Sequence, residues 1–229
     1  MGHTWAIAPL PGLNITEPLR EPIPYGLVSQ KRAQRIIAGP AQSQKLVSRG
    51  VLIVVEFADL HLAEGNTIHS FDSLANADEY TYNGAPGSCK KYYQDQSNGK
   101  YTPLFDVIGP VILPQTQAFY GTDAAGVSGD DQYIADFVID ACKGAQQLGV
   151  DFANYDQDND GNVDLVYILY AGHGQADGGV STSIWPHAWD MQSALYFGNT
   201  KQTEYFVKTN PAGQIISQNL PVLNGKTIM

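Results

Sequence analysis

The sequence lacks the features that would assign it to a membrane or to a nucleic acid. No run of about 18 apolar residues occurs in it, so no membrane-spanning helix is predicted. Basic residues are scarce, with 13 Lys and Arg against 23 Asp and Glu, a net charge of −10. A nucleic-acid partner is disfavoured, because binding to phosphates requires a basic surface. With 43% hydrophobic and 16% charged residues, the composition is that of a globular protein.

The few positive charges are unevenly distributed along the chain. Residues 1–50 hold six basic and two acidic residues, whereas the remainder holds 7 basic and 21 acidic residues, a net −14. The stretch 144–200 has no Lys or Arg but has seven Asp. Clustered carboxylates repel one another unless a cation lies among them. This stretch is therefore a candidate cation site, although a scattered acidic surface would give the same count.

Residues that could hold zinc are also few. None of the five His belongs to a His-Glu-x-x-His pattern, which places two zinc ligands one helical turn apart. His173 and His187 are 14 residues apart in the sequence and flank a glycine-rich segment. Two histidines alone make a poor zinc site, so the sequence by itself predicts no zinc ligands.

The chain has only two cysteines, Cys89 and Cys142. Their spacing does not indicate whether they pair, and buried free thiols are the simpler expectation. Cys142 falls in a predicted amphipathic helix, where burial would raise the pKa of its thiol. Cys89 falls near a predicted helix start that would favour its thiolate, with His173 or His187 as a base. A cysteine peptidase using Cys89 is therefore kept as an alternative.

Proline divides the chain into two parts. Six of the 13 Pro lie within residues 1–49. This density favours an extended or irregular backbone, apart from one short helical stretch at about 27–37. We expect residues 1–49 to form a Pro-rich irregular leader, a pro-segment remnant or a linker, and residues 50–229 to form the folded domain.

Apolar strands and helices alternate in the second part. Strands are predicted at three apolar, β-rich runs, 51–57, 105–113 and 163–170. Helices are predicted at 89–96, with Ser88 as N-cap, and from Asp130 to about Leu148. The alternation predicts an α/β fold, a mixed twisted sheet with helices packed against it.

The most specific local signal is an Asp-rich loop. Its residues 1, 3, 5 and 9 are Asp156, Asp158, Asp160 and Asp164, with Gly161 at position 6 and Asn162 at position 7. This spacing turns carboxylates inward around one hard cation, and the glycine supplies a sharp bend. Asn162 would contribute its main-chain carbonyl, and Asp164 would act through a water. Oxygen ligands without a nearby Cys or His select calcium, so a structural calcium site is predicted.

The loop departs from an EF-hand at its twelfth position. Tyr167 stands there in place of the bidentate carboxylate, and a strand is predicted to follow instead of a helix. We therefore expect a helix–loop–strand calcium site, with any further ligand coming from elsewhere or from water. An ordinary Asp/Asn/Gly turn is the alternative interpretation.

Residues 184–189 (IWPHAW) form an aromatic cluster. Trp185 and His187 could wall a substrate cleft, with His187 hydrogen-bonded to a ligand or to an acidic partner. Alternatively, Trp185 and Trp189 cover an edge of the sheet while His187 is satisfied inside. The second, structural interpretation is the simpler one.

Several segments resemble, in order, the M6 or immune-inhibitor-A metallopeptidases. They are Val51–Asp59 (VLIVVEFAD), Gly87–Lys100, Phe105–Pro114 (FDVIGPVILP), Phe119–Gly121, Val150–Gly174 and Ile184–His187. The resemblance implies a secreted bacterial zinc endopeptidase that acts on proteins or peptides. It also implies that this fold is the upper subdomain of a thermolysin-like zincin.

In such enzymes a His-Glu-x-x-His helix follows the segments matched here. The sequence reaches Met229 without that motif. We therefore expect an N-terminal part of the peptidase domain, inactive alone, which needs zinc and a complementary C-terminal fragment. The resemblance identifies no catalytic residue in this chain. It does imply the calcium loop and, more loosely, a cleft wall at Trp185 and His187. A non-catalytic, calcium-dependent binding or scaffolding module is the alternative.

Overall fold

The computed structural model describes residues 49–124 and 130–229 of the chain. Of the predicted leader at 1–49, only Arg49 lies within these ranges, and it begins the first strand. The helix predicted at 27–37 lies outside them. No helix within these ranges is long and apolar enough to cross a membrane.

Within the described ranges the chain forms eight strands and five α-helices. The strands are β1 (Arg49–Glu56), β2 (Leu104–Ile112), β3 (Asn162–Val163), β4 (Val166–Tyr170), β5 (Phe206–Thr209), β6 (Ile215–Asn219), β7 (Val222–Leu223) and β8 (Lys226–Ile228). The helices are α1 (Ile68–Asn76), α2 (Cys89–Gln96), α3 (Gln117–Gly121), α4 (Ile134–Gln147) and α5 (Met191–Tyr196). Short 3₁₀ turns lie at Tyr82–Gly84, Phe152–Tyr155 and Gln175–Asp177.

A parallel sheet in the order β2-β1-β4 forms the centre of the fold. The side chains of β1 alternate between two hydrophobic clusters. Val51, Ile53 and Val55 belong to the larger cluster, whereas Leu52 and Val54 belong to the smaller one. The continuous apolar run of β1 follows from this arrangement, since a parallel strand covered on both faces has no solvent side.

Helices cover both faces of this sheet. α4 joins the larger cluster through Phe137, Ala141 and Ala145. α1 joins the smaller cluster through Ala75, with Phe71 partly buried beside it. The fold is therefore mixed α/β with helices packed on a central sheet, as the alternation of elements predicts.

The strands do not form the single mixed sheet that the sequence predicts. A second sheet has the order β3-β8-β7, and β5 and β6 form an antiparallel pair. The strand predicted at 163–170 is interrupted at Asp164, whose main-chain N–H donates to the carbonyl of Tyr155 at 2.8 Å. As a result, β3 pairs with β8 while β4 pairs with β1.

The predicted interruption of β2 is a β-bulge at Gly109. The register between β1 and β2 shifts between Ile53 and Val55. Gly109 has a φ of +142°, and a Cβ there would collide with the carbonyl oxygen of Val54. Only glycine fits this position without a shift of the backbone.

The two predicted helix starts have different outcomes. Ser88 caps α2, since its hydroxyl accepts a hydrogen bond from the N–H of Lys91 at 3.2 Å. Asp130 does not cap α4, which begins at Ile134 without a side-chain cap. The Asp130 carboxylate instead accepts a hydrogen bond from the Asn199 side chain at 2.8 Å, so a tertiary contact replaces the predicted cap.

Candidate functional site

The Asp-rich loop runs from the 3₁₀ turn at Phe152–Tyr155 into β3. The predicted helix before it is present as α4, which ends at Gln147, and the 3₁₀ turn lies between α4 and the loop. Carboxylate oxygens of Asp156, Asp158 and Asp160 lie within 4.8 Å of one another. A hard cation prefers several oxygen ligands of this kind. The structure thus brings together three of the four predicted carboxylates.

The loop's own main chain orients these carboxylates. Asp156 Oδ1 and Asp158 Oδ1 accept hydrogen bonds from the N–H of Asp160, at 2.9 and 3.2 Å. Asp156 Oδ2 accepts from the N–H of Gly161 at 3.0 Å, and Asp160 Oδ1 accepts from the N–H of Asn162 at 2.8 Å. Gly161 has a φ of +89°, which supplies the expected bend. A calcium loop and a plain Asp/Asn/Gly turn both contain such bonds.

Asp164 lies outside the group of three. Its Oδ2 accepts a hydrogen bond from the N–H of Gln157 at 2.8 Å. Burial raises the pKa of Asp164, and the negative charges of the three converging carboxylates raise it further. The negative charges of the loop thus act on Asp164, although its carboxylate is not one of the three that converge.

Lys226 is the partner of the loop that sequence reasoning missed. Its Nζ donates to Asp156 Oδ2 at 2.7 Å, with side-chain exposures of 25% for Lys226 and 0% for Asp156. The Asp156 carboxylate is hydrogen-bonded by two N–H groups of the loop as well as by Lys226. The hydrogen bond from Lys226 lowers the pKa of Asp156. The pairing of β3 with β8 delivers this lysine to the loop, so no local signal in 144–200 could have revealed it.

A second group of titratable side chains lies just before α4. Asp131 Oδ2 accepts a hydrogen bond from the N–H of Trp185 at 2.9 Å and lies 2.7 Å from His187 Nε2. The Asp131 side chain is fully buried and that of His187 is 17% exposed. Burial raises the pKa of Asp131, while the hydrogen bond and the charge of His187 oppose this rise. With Nε2 donating to the carboxylate, Nδ1 of a neutral His187 is an acceptor.

The aromatic cluster around His187 is partly exposed. Trp185 is 42% exposed. The His187 ring lies nearly parallel to that of Trp189, with centroids 6.0 Å apart. His187 thus has the acidic partner that either interpretation allows, and Trp185 lies at the surface. The role of Trp185 and His187 as a cleft wall stays a prediction.

The sequence of residues 37–219 matches the family described as immune inhibitor A peptidase M6, catalytic domain. The chain belongs to the M6 peptidase family. It is also 36% identical over 122 residues to Immune inhibitor A of Bacillus thuringiensis subsp. alesti. That alignment covers 44% of this chain and 18% of the relative, so the chain matches only a small part of the relative's length.

Zinc, which the M6 metallopeptidase family implies, does not fit the residues that the structure describes. Three histidines each lie against a different carboxylate: His61 on Glu56 at 2.9 Å, His173 on Asp177 at 2.9 Å, and His187 on Asp131 at 2.7 Å. Apart from the Asp loop, no three His, Cys, Asp or Glu in 49–124 and 130–229 bring ligand atoms within 4.8 Å of one another. A catalytic zinc requires three protein ligands and an open position.

Neither cysteine has the environment of a nucleophile. Cys142 is buried in α4, and burial raises the pKa of its thiol to about 12. Cys89 opens α2 and is exposed as a residue, but desolvation of its thiol raises its pKa. A main-chain hydrogen bond at Cys89 lowers the pKa of the thiol, but desolvation outweighs it, so the thiolate is not favoured as the sequence predicts. No hydrogen bond in the described part of the chain joins Cys89 to a histidine, and both cysteines are free.

Proposed function

We propose that this chain is the N-terminal part of the catalytic domain of a secreted zinc endopeptidase that acts on proteins or peptides. The observation that carries the proposal is the match of residues 37–219 to the M6 catalytic domain. The fold agrees with an upper subdomain of a thermolysin-like enzyme, since helices cover both faces of a central sheet. In this assignment the chain supplies a scaffold and part of a substrate-binding wall.

The catalytic zinc would be held outside the residues that the structure describes. No three-ligand set for zinc occurs among them, and the sequence has no His-Glu-x-x-His motif. The chain alone is therefore proposed to be inactive. A complementary C-terminal part would carry the zinc-binding helix.

A comparison of two proteins tests this assignment. This chain and the longest product of its gene are purified in parallel, and bound zinc and hydrolysis of a protein substrate are measured for both. We expect zinc and chelator-sensitive hydrolysis in the longer protein only. Hydrolysis by the isolated chain would contradict the assignment of the active site. Absence of zinc and hydrolysis from both proteins would favour a non-catalytic binding module.

The Asp-rich loop is the proposed site of a structural calcium ion. Asp156, Asp158 and Asp160 would provide carboxylate oxygens, Asn162 its main-chain carbonyl, and Asp164 a water-mediated contact. The support is the approach of three carboxylates to within 4.8 Å in a loop with the spacing of a calcium site. A ligand at 100 times its dissociation constant adds about 2.7 kcal/mol to the stability of the folded state.

Thermal unfolding of the isolated chain tests the calcium site independently of peptidase activity. Calcium at millimolar concentration should raise the Tm by several degrees relative to EDTA, because it binds the folded loop and not the unfolded chain. Asp158→Asn should abolish most of this rise. An equal Tm in calcium and EDTA would contradict the site.

The surface around Trp185 is the proposed wall of the substrate cleft. Its support is the exposed indole beside a histidine that Asp131 holds in one orientation. In the longer protein, Trp185→Ala should raise KM for a peptide with little change in kcat, because the indole would bind substrate without taking part in chemistry. An unchanged KM would favour the structural interpretation of the cluster.

A further inference from the structure

The ammonium group of Lys226 contacts one of the three carboxylates that would bind the cation. Lys226 Nζ is 2.7 Å from Asp156 Oδ2, and the same oxygen accepts a hydrogen bond from the N–H of Gly161 at 3.0 Å. Asp156 is the first ligand of the proposed calcium loop. A calcium ion that coordinated this oxygen would compete directly with the lysine, since both are cations that require the same carboxylate charge.

The backbone of Lys226 is fixed against the loop. The N–H of Thr227 donates to the carbonyl of Gly161 at 2.9 Å, and Ile228 is 1% exposed in the core. β8 therefore fixes the main chain of Lys226 beside the loop. The side chain itself is 25% exposed. Its flexible four-carbon stem allows the ammonium to move into solvent without displacing the strand.

We propose that Lys226 is an internal counter-cation of the loop, which neutralises Asp156 in the metal-free protein and is displaced when calcium binds. This inference rests on the proposed calcium site and concerns its regulation. Lys226 thereby sets the affinity of the loop for calcium and keeps its carboxylates together when calcium is scarce. It lies beyond residues 37–219, so the family match assigns it no role.

The proposal gives Lys226 a different effect on stability in the metal-free and in the calcium-bound protein, whereas a simple ion pair would have the same effect in both. In the metal-free protein Lys226 stabilises the loop by offsetting repulsion among carboxylates. In the calcium-bound protein it contributes nothing through Asp156, because the metal has taken its place. The contribution of Lys226 to stability should therefore depend on calcium, whereas that of a purely structural ion pair would not.

The test uses Lys226→Met, which keeps the length of the side chain and removes its charge. Lys100→Met is the matched control, because Lys100 is exposed and its side chain forms no hydrogen bond or ion pair with the residues that the structure describes. Calcium affinity is measured by isothermal titration calorimetry on the full chain. Lys226→Met should bind calcium at least about two- to fivefold more tightly, since an exposed ion pair contributes up to about 1 kcal/mol and this one is partly buried. Lys100→Met should bind as the unchanged protein does.

Thermal unfolding of the same variants supplies a second readout. In EDTA, Lys226→Met should have a lower Tm than the unchanged chain, and in saturating calcium this difference should disappear. Lys226→Arg, which retains the charge, should have nearly the original calcium affinity. If Lys226→Met does not fold, Lys226→Arg is the variant whose calcium affinity is compared with that of the unchanged chain.

The outcomes distinguish this inference from the calcium site on which it rests. If the unchanged chain binds no calcium, the proposed site and the competition are both overturned. If it binds calcium and Lys226→Met binds with equal or lower affinity, only the competition is overturned. A Tm difference of the same size in EDTA and calcium would likewise make Lys226 a structural ion pair.

Discussion

His187 Nε2 lies 2.7 Å from the buried carboxylate of Asp131, which precedes it by 56 residues in the sequence. The same carboxylate oxygen accepts the main-chain N–H of Trp185 at 2.9 Å. One buried acidic residue thus fixes both the path of segment 184–189 and the orientation of its histidine. The aromatic cluster owes its position to a residue that has no aromatic or metal-binding signature of its own.

Removal of this carboxylate should destabilise the fold. Asp131→Ala leaves the N–H of Trp185 and the ring of His187 without their buried acceptor, and each unsatisfied group costs about 1–3 kcal/mol. Asp131→Asn keeps an acceptor oxygen and should lose less stability. Urea unfolding monitored by tryptophan fluorescence measures both variants. Equal losses for alanine and asparagine would show that the hydrogen bonds are not what Asp131 contributes.

The central strand should be sensitive to loss of volume on its buried positions. Ile53 is 0% exposed in β1, and Ile53→Ala should cost about 2–5 kcal/mol through lost burial and a residual cavity. Ile112 ends β2 and is 66% exposed, so Ile112→Ala should change stability by less than about 0.5 kcal/mol. The free energy of unfolding in urea compares the two. Similar costs would contradict the placement of β1 between two hydrophobic layers.

The bulge in β2 should require glycine for two separate reasons. Gly109 and Gly99 both have positive φ, +142° and +73°, so alanine is strained at either position. Only at Gly109 would the added Cβ also collide with the carbonyl of Val54, whereas nothing lies near it at Gly99. Gly109→Ala should therefore lower the Tm clearly more than Gly99→Ala, for which strain of about 1 kcal/mol is expected. An equal fall in Tm for the two variants would mean that Gly109 has no close contact with the carbonyl of Val54.

A carboxylate on α4 should make stability depend on pH. Burial raises the pKa of Asp140, and the nearby charge of Asp136 raises it further. The folded state therefore binds this proton more tightly than the unfolded state. The associated stability is present below the unfolded pKa and is lost as pH rises through the folded pKa.

Asp140→Asn removes this titration and still offers an oxygen to the hydroxyl of Tyr120, which donates to Asp140 at 2.8 Å. Relative to the unchanged chain, the variant should gain stability between about pH 3.5 and pH 7. Urea unfolding at the two pH values measures the difference. If the variant instead lost stability relative to the unchanged chain as the pH rose, the folded state would stabilise the ionised form of Asp140.

Local sequence signals were sufficient to predict the elements whose conformation is determined by their own residues. β1 follows from an uninterrupted apolar run rich in β-branched residues, and α2 begins where Ser88 can cap it. The Asp loop bends at Gly161 because only a positive φ allows it. In each case the determining contact lies within a few residues of the signal.

Contacts between distant segments decide the features that the sequence did not reveal. Asp130 is an acceptable helix cap, but its carboxylate bonds to Asn199 and α4 begins four residues later. The apolar run 163–170 is divided because its two ends pair with different strands. Lys226 reaches Asp156 across 70 residues of sequence. None of these pairings leaves a periodic or compositional trace.

The occupancy of the Asp loop tests the account most directly. Native mass spectrometry of the isolated chain, stripped with EDTA and then supplied with calcium, counts the ions bound per molecule. The account predicts one calcium ion for the unchanged chain and none for the double variant Asp156→Asn/Asp158→Asn. A chain that binds no calcium at millimolar concentration, or a double variant that binds it equally well, would contradict it.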